Sequence, residues 1–250
     1  MKLLIVIPAY NEEECIERVV VQLVEQYPQY DYVVVNDGSK DRTADICRRN
    51  GYNLIDLPVN LGLTGAFQTG LRYAYMQGYD YAIQFDADGQ HRPEYIQPML
   101  EKIQEGYDIV IGSRFVHQKK PQSMRMLGSR ILGLAMRLSS GAKIKDPTSG
   151  MRMFSRRLIR EFAYGINYGP EPDTISYLIK CGYSVAEVQV MMDERLAGQS
   201  YLNIVGSMTY MFRMSVSILL IQLFRRRVRP EKKSEIPSVV SSPYMKGEKQ

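Results

Sequence analysis

The chain has 250 residues, and 45% of them are hydrophobic, which is enough to bury a substantial core in one large domain or two small ones. Its three cysteines, Cys15, Cys47 and Cys181, are far apart and form no Cys-x-x-Cys pair. This spacing argues against a structural zinc site and a disulfide framework, and it favours a reducing compartment.

The net charge of +5 is concentrated near the C-terminus. Residues 225–233 contain six basic residues against the single acid Glu231, so this segment accounts for the whole net charge. A nucleic-acid binder more often spreads its basic residues over one face of a folded domain. A basic block beside an apolar segment is more typical of contact with a membrane surface. We therefore predict a membrane partner and no nucleic acid.

The first half of the chain alternates between strand-like and helix-like patterns. Asn11, with Glu14 three residues later, resembles a capping box before the first helix. Short apolar runs predict strands at 3–7, 32–35, 54–57, 81–86 and 108–112. Helical spacing and breaker residues predict helices at 16–24, 43–49, 65–77 and from Pro93 to a stop at Gly106.

This alternation predicts an α/β fold with a mainly parallel central sheet and helices on both faces. Ligands in such folds bind beyond the carboxyl ends of the strands, and the polar motifs at 8–12, 36–39 and 86–88 all follow predicted strands. The second half is less regular. It predicts helices at 123–139 and 171–181, a strand at 183–190 and a turn-rich link at 146–150.

The most informative stretch is residues 84–91, where a predicted strand ends at a turn that contains Gly89. Asp86, Asp88 and Gln90 stand at i, i+2 and i+4, and the turn lets their three oxygens converge. Hard oxygen ligands in a partly open arrangement suit Mg2+ or Mn2+ and leave places for substrate phosphates. We therefore predict a divalent metal site for a phosphorylated substrate, with His91 shaping the site rather than binding the ion.

Several motifs, taken in order, resemble the family 2 glycosyltransferases of the GT-A fold. The similarity is greatest to the branch of dolichol-phosphate mannose synthase and the bacterial polyprenyl-phosphate glycosyltransferases, and it covers about residues 1–201. Each motif is weak alone, but their order and spacing are specific. The motifs are Pro8-Ala9-Tyr10-Asn11-Glu12, Asn36-Asp37-Gly38-Ser39, Asp86-Ala87-Asp88, Gly112-Ser113-Arg114, Arg125 with Ser129, Asp146-x-Thr148-Ser149-Gly150-Met151-Arg152, Glu187-Val188 and Arg195-x-x-Gly198-x-Ser200.

The resemblance implies a metal-dependent, inverting glycosyltransferase that moves one sugar, a hexose, from a nucleoside-diphosphate sugar. It implies that Asp86, Asp88 and Gln90 hold Mg2+ or Mn2+ at the donor diphosphate, and it makes Asp88 a catalytic residue. The residues implied to hold the nucleotide sugar are Pro8, Tyr10, Glu12, Asp37, Gly65 and Asp86.

The resemblance also implies a polyprenyl phosphate acceptor, either undecaprenyl or dolichyl phosphate. Arg114, Arg125 and Arg195 match positions that face phosphate groups in this branch, and a guanidinium offers a bidentate fork for phosphate oxygens. Arg130 and Arg137, on the same predicted helix as Arg125, are interpreted as a solvated helix face.

The second catalytic candidate, Asp146, separates two kinds of acceptor. A sugar hydroxyl needs a general base, which Asp146, Glu171 or Asp173 could supply, whereas a lipid phosphate is already ionised at neutral pH. Transfer to a glycan hydroxyl in cell-wall or capsular polysaccharide assembly is therefore an alternative function. A catalytically silent sugar-nucleotide-binding scaffold and a nucleotidyltransferase are further alternatives.

Residues 204–224 are apolar and long enough to span a membrane, but Arg213 makes spanning costly. A polar stripe and the following basic block favour a helix that lies in the membrane interface. A core helix and a true span shielded by a partner helix are alternatives. The stripe is formed by Asn203, Ser207, Tyr210, Arg213 and Ser217.

These patterns divide the chain into three parts. We predict a GT-A glycosyltransferase domain at 1–201, an amphipathic membrane-associating helix with a basic end at 202–229, and a disordered tail at 230–250. The expected location is the cytoplasmic face of the cell membrane, with a small membrane-protein partner or a second copy of the chain as a further expected contact.

Overall fold

The computed structural model of the chain describes residues 1–121, 124–165, 169, 171–194 and 204–221. Its centre is a seven-stranded sheet. The strands are β1 (Leu3–Ala9), β2 (Asp31–Asn36), β3 (Leu54–Asp56), β4 (Tyr81–Gln84), β5 (Ile109–Ser113), β6 (Arg152–Ser155) and β7 (Val185–Gln189). Their spatial order is β3-β2-β1-β4-β6-β5-β7.

The sheet is mainly parallel, which confirms the predicted fold class. Strand β1 pairs in parallel with β2 and β4, β2 with β3, and β5 with β7. Strand β6 runs antiparallel between β4 and β5. Sequence patterns do not predict β6, because it has four residues and directly follows a turn-rich link. Its Met153 and Phe154 nevertheless alternate into the two opposite core layers.

Helices cover both faces of the sheet. Leu4 and Val6 of β1 point into one layer and Ile5 and Ile7 into the other, as expected of a strand buried on both faces. The helices are α1 (Ile16–Gln26), α2 (Thr43–Arg49), α3 (Gly62–Met76), α4 (Ile96–Gln104), α5 (Met124–Ser140), α6 (Arg156–Arg160), α7 (Pro172–Lys180) and α8 (Ile204–Val216). Helices α1, α2 and α4 form the layer with Ile5, and α3, α5, α6, α7 and α8 form the other.

The capping box predicted at Asn11 and Glu14 is wrong. Helix α1 begins at Ile16, and within the described residues no side chain caps its first turn. Asn11 instead has a positive φ of 56°, a conformation that asparagine tolerates better than most residues. Its Oδ1 accepts a hydrogen bond from the backbone N–H of Lys40 at 2.8 Å. Asn11 therefore ties together the loops that follow β1 and β2.

Helix α8 packs against the domain. The Tyr210 hydroxyl donates a hydrogen bond to the Glu171 carboxylate just before α7, and the Ser217 hydroxyl donates to Asp173 at 2.8 Å. Two side chains of the predicted polar stripe, Tyr210 and Ser217, therefore reach inward to acidic residues, as the alternative of a helix packed on the catalytic domain requires. Contact of this helix with a membrane interface stays a prediction. Arg213 of the same stripe is exposed.

Within the described ranges, no helix combines the length and the apolar character needed to cross a membrane. Residues 202–203 and 222–229 of the predicted membrane-associating segment, and the predicted tail at 230–250, lie outside the described residues.

Candidate active site

A cleft with a volume of about 540 Å3 opens at the carboxyl ends of β1, β2 and β4. These strands are neighbours in the sheet, so the loops that follow them meet at one edge. The structure brings together at this cleft most of the predicted nucleotide and metal residues, whose ligand roles stay predictions. Those residues are Pro8, Tyr10, Glu12, Asp37, Asp86 and Asp88.

Gly65 lies outside this cleft, although it was predicted to hold the nucleotide sugar. It sits near the start of α3, where a Cβ would lie 2.4 Å from the Cβ of Leu61. It lines a neighbouring cavity instead, and α3 contributes Gly62, Leu63 and Ala66 to the cleft. Close packing at the helix start therefore explains the glycine without a ligand.

Asp37 shapes one wall of the cleft. Its backbone N–H donates to the carbonyl oxygen of Ala9 at 2.8 Å, and its Oδ1 accepts from the backbone N–H of Leu61 at 2.7 Å. The second bond holds the loop before α3 against the end of β2. Asn60, in that loop, lines the cleft. Asp37 can therefore shape the cleft by positioning this loop as well as by lining the cleft itself.

Neighbouring side chains hold Asp86 in place. The Gln84 amide donates to its Oδ1 at 3.1 Å, and the backbone N–H of Asp86 donates to Nδ1 of His91 at 2.9 Å. Because Nδ1 accepts this bond, the neutral ring carries its proton on Nε2, which lies 3.5 Å from Oδ2 of Asp86. This geometry favours the interpretation that buried His91 shapes the site.

Asp88 lines the cleft and Gln90 does not. The backbone N–H of Gln90 donates to Oδ1 of Asp88 at 3.1 Å, and its side-chain amide reaches the carbonyl oxygen of Asp193 at 3.4 Å. The described residues contain no group of three or more His, Cys, Asp or Glu placed to hold a metal. Two carboxylates on an open cleft still fit Mg2+ or Mn2+, since such ions commonly take further ligands from substrate phosphates and water.

Arg114 and Asp146 form a bidentate ion pair beside the sheet. Nε of Arg114 lies 2.7 Å from Oδ2 of Asp146, and Nη2 lies 2.8 Å from Oδ1. The backbone N–H of Arg114 also donates to Oδ2, at 3.1 Å. Asp146 is fully buried. The guanidinium fork that was predicted to bind an acceptor phosphate is therefore already engaged by a carboxylate.

The same contacts decide what Asp146 can do chemically. Burial alone would raise the pKa of the Asp146 carboxyl, but the hydrogen bonds and positive charge of Arg114 outweigh it and lower that pKa below the usual range. Glu187 accepts a hydrogen bond from the Asp146 backbone N–H at 2.8 Å and fixes the loop. A buried carboxylate with a lowered pKa is a poor proton acceptor, so this geometry favours a positioning role; the predicted catalytic role stays a prediction.

The other two predicted arginines have no described side chain. Arg125 lies in the first turn of α5, and Arg195 lies outside the described residues. The described residues just before Arg195 lie beside the turn that carries Asp86 and Asp88, because His91 forms an isolated β-bridge with Met192 and Arg92 donates to Asp193 at 2.8 Å. The contact of Arg125 and Arg195 with the acceptor phosphate stays a prediction.

Arg152 belongs to this site although the sequence assigns it no role. It lies opposite Gln84 in the sheet register and is 4% exposed, and within the described chain its Nε has no hydrogen-bond partner. Burial lowers the pKa of Arg152, and negative charges that include Glu171, Asp146 and Asp86 oppose this. A buried cation favours the ionised carboxylates around it. The signal in the sequence is an arginine within the apolar run 151–154.

Comparisons with known proteins identify the family of this chain. Residues 4–162 match the family model for glycosyl transferase family 2. An undecaprenyl-phosphate mannosyltransferase from Micrococcus luteus is 31% identical, and the alignment covers 80% of this chain and 87% of that protein. A polyprenol monophosphomannose synthase from Mycolicibacterium smegmatis is 29% identical, with 79% of each protein covered.

Solved structures share the fold. Glucosyl-3-phosphoglycerate synthase from Mycobacterium tuberculosis, in complex with Mn2+, UDP and glucosyl-3-phosphoglycerate, matches with a TM-score of 0.63 at 22% identity. The match covers 90% of this chain and 81% of that one, and it supports the GT-A fold. This chain belongs to glycosyl transferase family 2 and is a glycosyltransferase.

Proposed function

We propose that this glycosyltransferase moves a single hexose, with inversion, from a nucleoside-diphosphate sugar to a polyprenyl phosphate. The observation that carries the acceptor assignment is the Arg114–Asp146 ion pair. It leaves the predicted base buried and engaged, and a lipid phosphate, already ionised at neutral pH, needs no base. The relatives named as an undecaprenyl-phosphate mannosyltransferase and a polyprenol monophosphomannose synthase support this proposal.

The donor would occupy the cleft at the carboxyl ends of β1, β2 and β4. Tyr10 can pack on a nucleobase, and Glu12 and Asp37 can accept hydrogen bonds from base or ribose. Asp86 and Asp88 would hold Mg2+ or Mn2+ at the diphosphate. When bound, the ion neutralises the charge that develops on the leaving nucleoside diphosphate. The Mn2+ and UDP in the synthase from Mycobacterium tuberculosis support this assignment.

The acceptor would approach from the side of Arg114, Arg125 and Arg195. Because the fork of Arg114 is held by Asp146, Arg114 contributes positive charge rather than a bidentate grip on phosphate. Arg125 and Arg195 are then the candidates for direct phosphate contact. With the acceptor phosphate supplying the nucleophilic oxygen, the protein needs to position it and to shield its charge from the donor diphosphate.

Transfer to a glycan hydroxyl remains the competing function, and it needs a base. Glu171 accepts a hydrogen bond from Tyr210, and Asp173 accepts one from Ser217, so both of the other candidate bases are engaged in holding α8. We also propose that the enzyme works at the cytoplasmic membrane face. This location rests on the basic block at 225–233 and on the exposed apolar side chains of α8.

A transfer assay tests the proposal. The full chain is incubated in detergent with undecaprenyl phosphate, Mn2+ and a panel of UDP, GDP and dTDP sugars, and lipid-linked sugar is measured by mass spectrometry. We expect one donor to give lipid product that requires phosphate on the acceptor and disappears with EDTA. Asp88→Ala should lose at least about 100-fold in rate, whereas Asp45→Ala, an exposed carboxylate of α2, should not.

Two results would contradict the proposal separately. Lipid product that persists in EDTA and in Asp88→Ala would remove the metal from the mechanism. Transfer to glycan hydroxyls, with no product on polyprenyl phosphate and full loss in Asp146→Asn, would establish the competing acceptor.

A further inference from the structure

The two oxygens of the Asp86 carboxylate are restrained by two different segments of the chain. Oδ1 accepts a hydrogen bond from the side-chain amide of Gln84 in β4, at 3.1 Å. Oδ2 lies against the backbone of Gly150, in the loop before β6, where a Cβ would come within 2.8 Å of it. The orientation of this carboxylate therefore depends on what holds Gln84 and on what holds that loop.

Gln84 and Arg152 are neighbours across the sheet. They stand opposite each other in the antiparallel pairing of β4 with β6, which places their Cβ atoms about 5 Å apart. Both point into the core layer of α3 and α5, because Ala82 and Phe154, two residues away on each strand, lie in that layer. Their side chains therefore meet in the interior, where Gln84 is 3% and Arg152 is 4% exposed.

Each of these two side chains has a hydrogen-bonding atom that the other can satisfy. A carboxylate only accepts, so the nitrogen of the Gln84 amide faces Asp86 and the amide oxygen, Oε1, is left over. Among the residues that the structure describes, neither this Oε1 nor Nε of Arg152 has a hydrogen-bond partner. An unpaired polar atom in the interior is costly, and here an acceptor and a donor lie on neighbouring strands. Arg152 is therefore well placed to hold the Gln84 amide toward Asp86.

Arg152 also holds the loop that carries Gly150. Its Nη2 donates to the carbonyl oxygen of Pro147 at 2.8 Å, in the interior of the domain. Pro147 and Gly150 belong to the same turn-rich link at 146–150, so this bond limits how far the link can move away from Asp86. One buried guanidinium therefore stands behind both contacts of the Asp86 carboxylate.

We propose that Arg152 is a positioning residue for the Asp86 carboxylate, acting through Gln84 on Oδ1 and through the backbone at 147–150 on Oδ2. This inference rests on the proposed function, in which Asp86 holds Mg2+ or Mn2+. Arg152 itself would touch neither the ion nor the donor. Its planar guanidinium presents several donors in fixed directions and can serve two acceptors at once, whereas a lysine ammonium offers a point charge on a flexible stem.

Mn2+ titration of the full chain, without nucleotide or sugar donor, tests this role. The electron paramagnetic resonance signal of free Mn2+ measures binding. Arg152→Lys keeps the positive charge and loses the planar fork, and Gln84→Met removes the amide at similar volume. The control is Arg157→Lys, at another largely buried arginine of the domain. Arg157 pairs with Asp108 at 2.6 Å, just before the amino end of β5 and therefore away from the cleft at the carboxyl ends of the strands.

We expect Gln84→Met and Arg152→Lys each to weaken Mn2+ binding about tenfold, as is typical when the support of a metal ligand is lost. The double variant should bind Mn2+ as weakly as Arg152→Lys alone, because both substitutions remove the same support. Arg157→Lys should lower the melting temperature but leave Mn2+ affinity within about twofold of the wild type, because distant sites act independently. A residue that served stability alone would behave like this control.

Mn2+ affinity in Arg152→Lys equal to that of the control would overturn the proposal, and so would losses that multiply in the double variant. If Arg152→Lys does not fold, Gln84→Glu carries the test at neutral pH. A guanidinium beside position 84 would pair with the new carboxylate, so the melting temperature should fall by less than about 5 °C. A larger fall, as expected for an unpaired buried charge, would overturn the proposal.

Failure of the proposed function gives a different pattern. Unchanged Mn2+ binding in Asp86→Asn would place the ion elsewhere and remove the basis of both proposals. Weaker binding in Asp86→Asn, together with unchanged binding in Arg152→Lys and Gln84→Met, would overturn only the positioning role of Arg152.

Discussion

Arg114 holds both carboxylate oxygens of Asp146, through Nε at 2.7 Å and Nη2 at 2.8 Å. The two residues are 32 positions apart in sequence, and the pair joins the end of β5 to the loop before β6. Because Asp146 is fully buried, the carboxylate is tolerated there as the partner of the guanidinium. The pair therefore fixes the loop before β6 against the end of β5.

Replacing Asp146 by asparagine should destabilise the fold in a pH-dependent way. At neutral pH the free energy of unfolding should fall by about 3 kcal/mol. This is the lower end of the range for breaking a buried ion pair, because Arg114 keeps some solvent contact. The pKa of Asp146 is lowered in the folded state, so the pair's contribution is present above the unfolded pKa of about 3.9 and falls as pH drops through the folded pKa. Urea unfolding of both proteins should show their difference shrinking as the pH falls below about 4.

Asp45→Asn is the matched control for this prediction. Asp45 pairs with Arg48 on the surface of α2, so its loss should change stability by less than about 1 kcal/mol. A difference between wild type and Asp146→Asn that stays constant with pH would show that packing, and not the ionised pair, carries the effect.

The sequence predicts those features of the structure whose signals lie within one segment of the chain, and it does not predict contacts between distant segments. Helix α2 follows its predicted bounds, because its start and its stop at Asn50 and Gly51 are encoded within the segment. Asp37 and Asp86 share one cleft because each follows a parallel strand, which is a rule of the fold class. By contrast, the sequence around Asp146 indicates only a turn. Its ion pair with Arg114 forms because the pairing of β5 with β6 brings the two residues together.

The same distinction applies to the glycines. Gly150 stands in one of the motifs and Gly65 is implied to hold the nucleotide sugar, but the sequence does not reveal what either glycine contacts. In the structure a Cβ at Gly150 would meet Asp86, whereas one at Gly65 would meet Leu61 of the same helix start. The first glycine thus leaves room for the Asp86 carboxylate and the second allows close packing at the helix start, and only the folded structure shows which contact each glycine makes.

Gly150→Ala should weaken metal binding with little loss of stability. The new Cβ would lie 2.8 Å from Oδ2 of Asp86, and the end of a flexible side chain can move away at low cost. Moving it misplaces a proposed metal ligand, and disturbances of this kind typically cost on the order of tenfold in metal affinity. Mn2+ titration by calorimetry measures the effect. Gly133→Ala, whose Cβ meets nothing closer than 3.3 Å, is the control, and an unchanged Mn2+ affinity in Gly150→Ala would place the ion away from Asp86.

Gly38→Ala should destabilise the loop that lines the cleft at the carboxyl ends of β1, β2 and β4. Gly38 has a φ of +63°, and a Cβ would lie 2.7 Å from the backbone nitrogen of Asn60. Backbone atoms cannot move away as the end of a side chain can. We therefore expect the free energy of unfolding to fall by about 2–4 kcal/mol from backbone strain and steric overlap together. Nucleotide affinity should fall as well, because Asn60 lines the cleft.

Gly51→Ala separates the two causes. Gly51 has a similar φ of +67° but open space around its Cβ position. Gly51→Ala should therefore lower the free energy of unfolding by about 1 kcal/mol, from backbone strain alone. Thermal unfolding and UDP or GDP titration measure both variants. Equal losses of stability in the two variants would show that the close approach of Asn60 to Gly38 does not contribute to the cost of the substitution.

Tyr210→Phe should loosen α8 from the catalytic domain. Burial and the nearby Glu171 carboxylate both raise the pKa of Tyr210, so its hydroxyl stays protonated and donates to Glu171 at all ordinary pH values. Phenylalanine leaves that carboxylate without its donor, at a cost of about 1–2 kcal/mol. Hydrogen exchange of the α8 amides should therefore accelerate about tenfold, while Tyr164→Phe, at an exposed tyrosine that packs edge-on against Tyr75, should leave it unchanged. Unaltered exchange in Tyr210→Phe would mean that apolar contacts such as buried Met214 hold α8 in place without the hydrogen bond to α7.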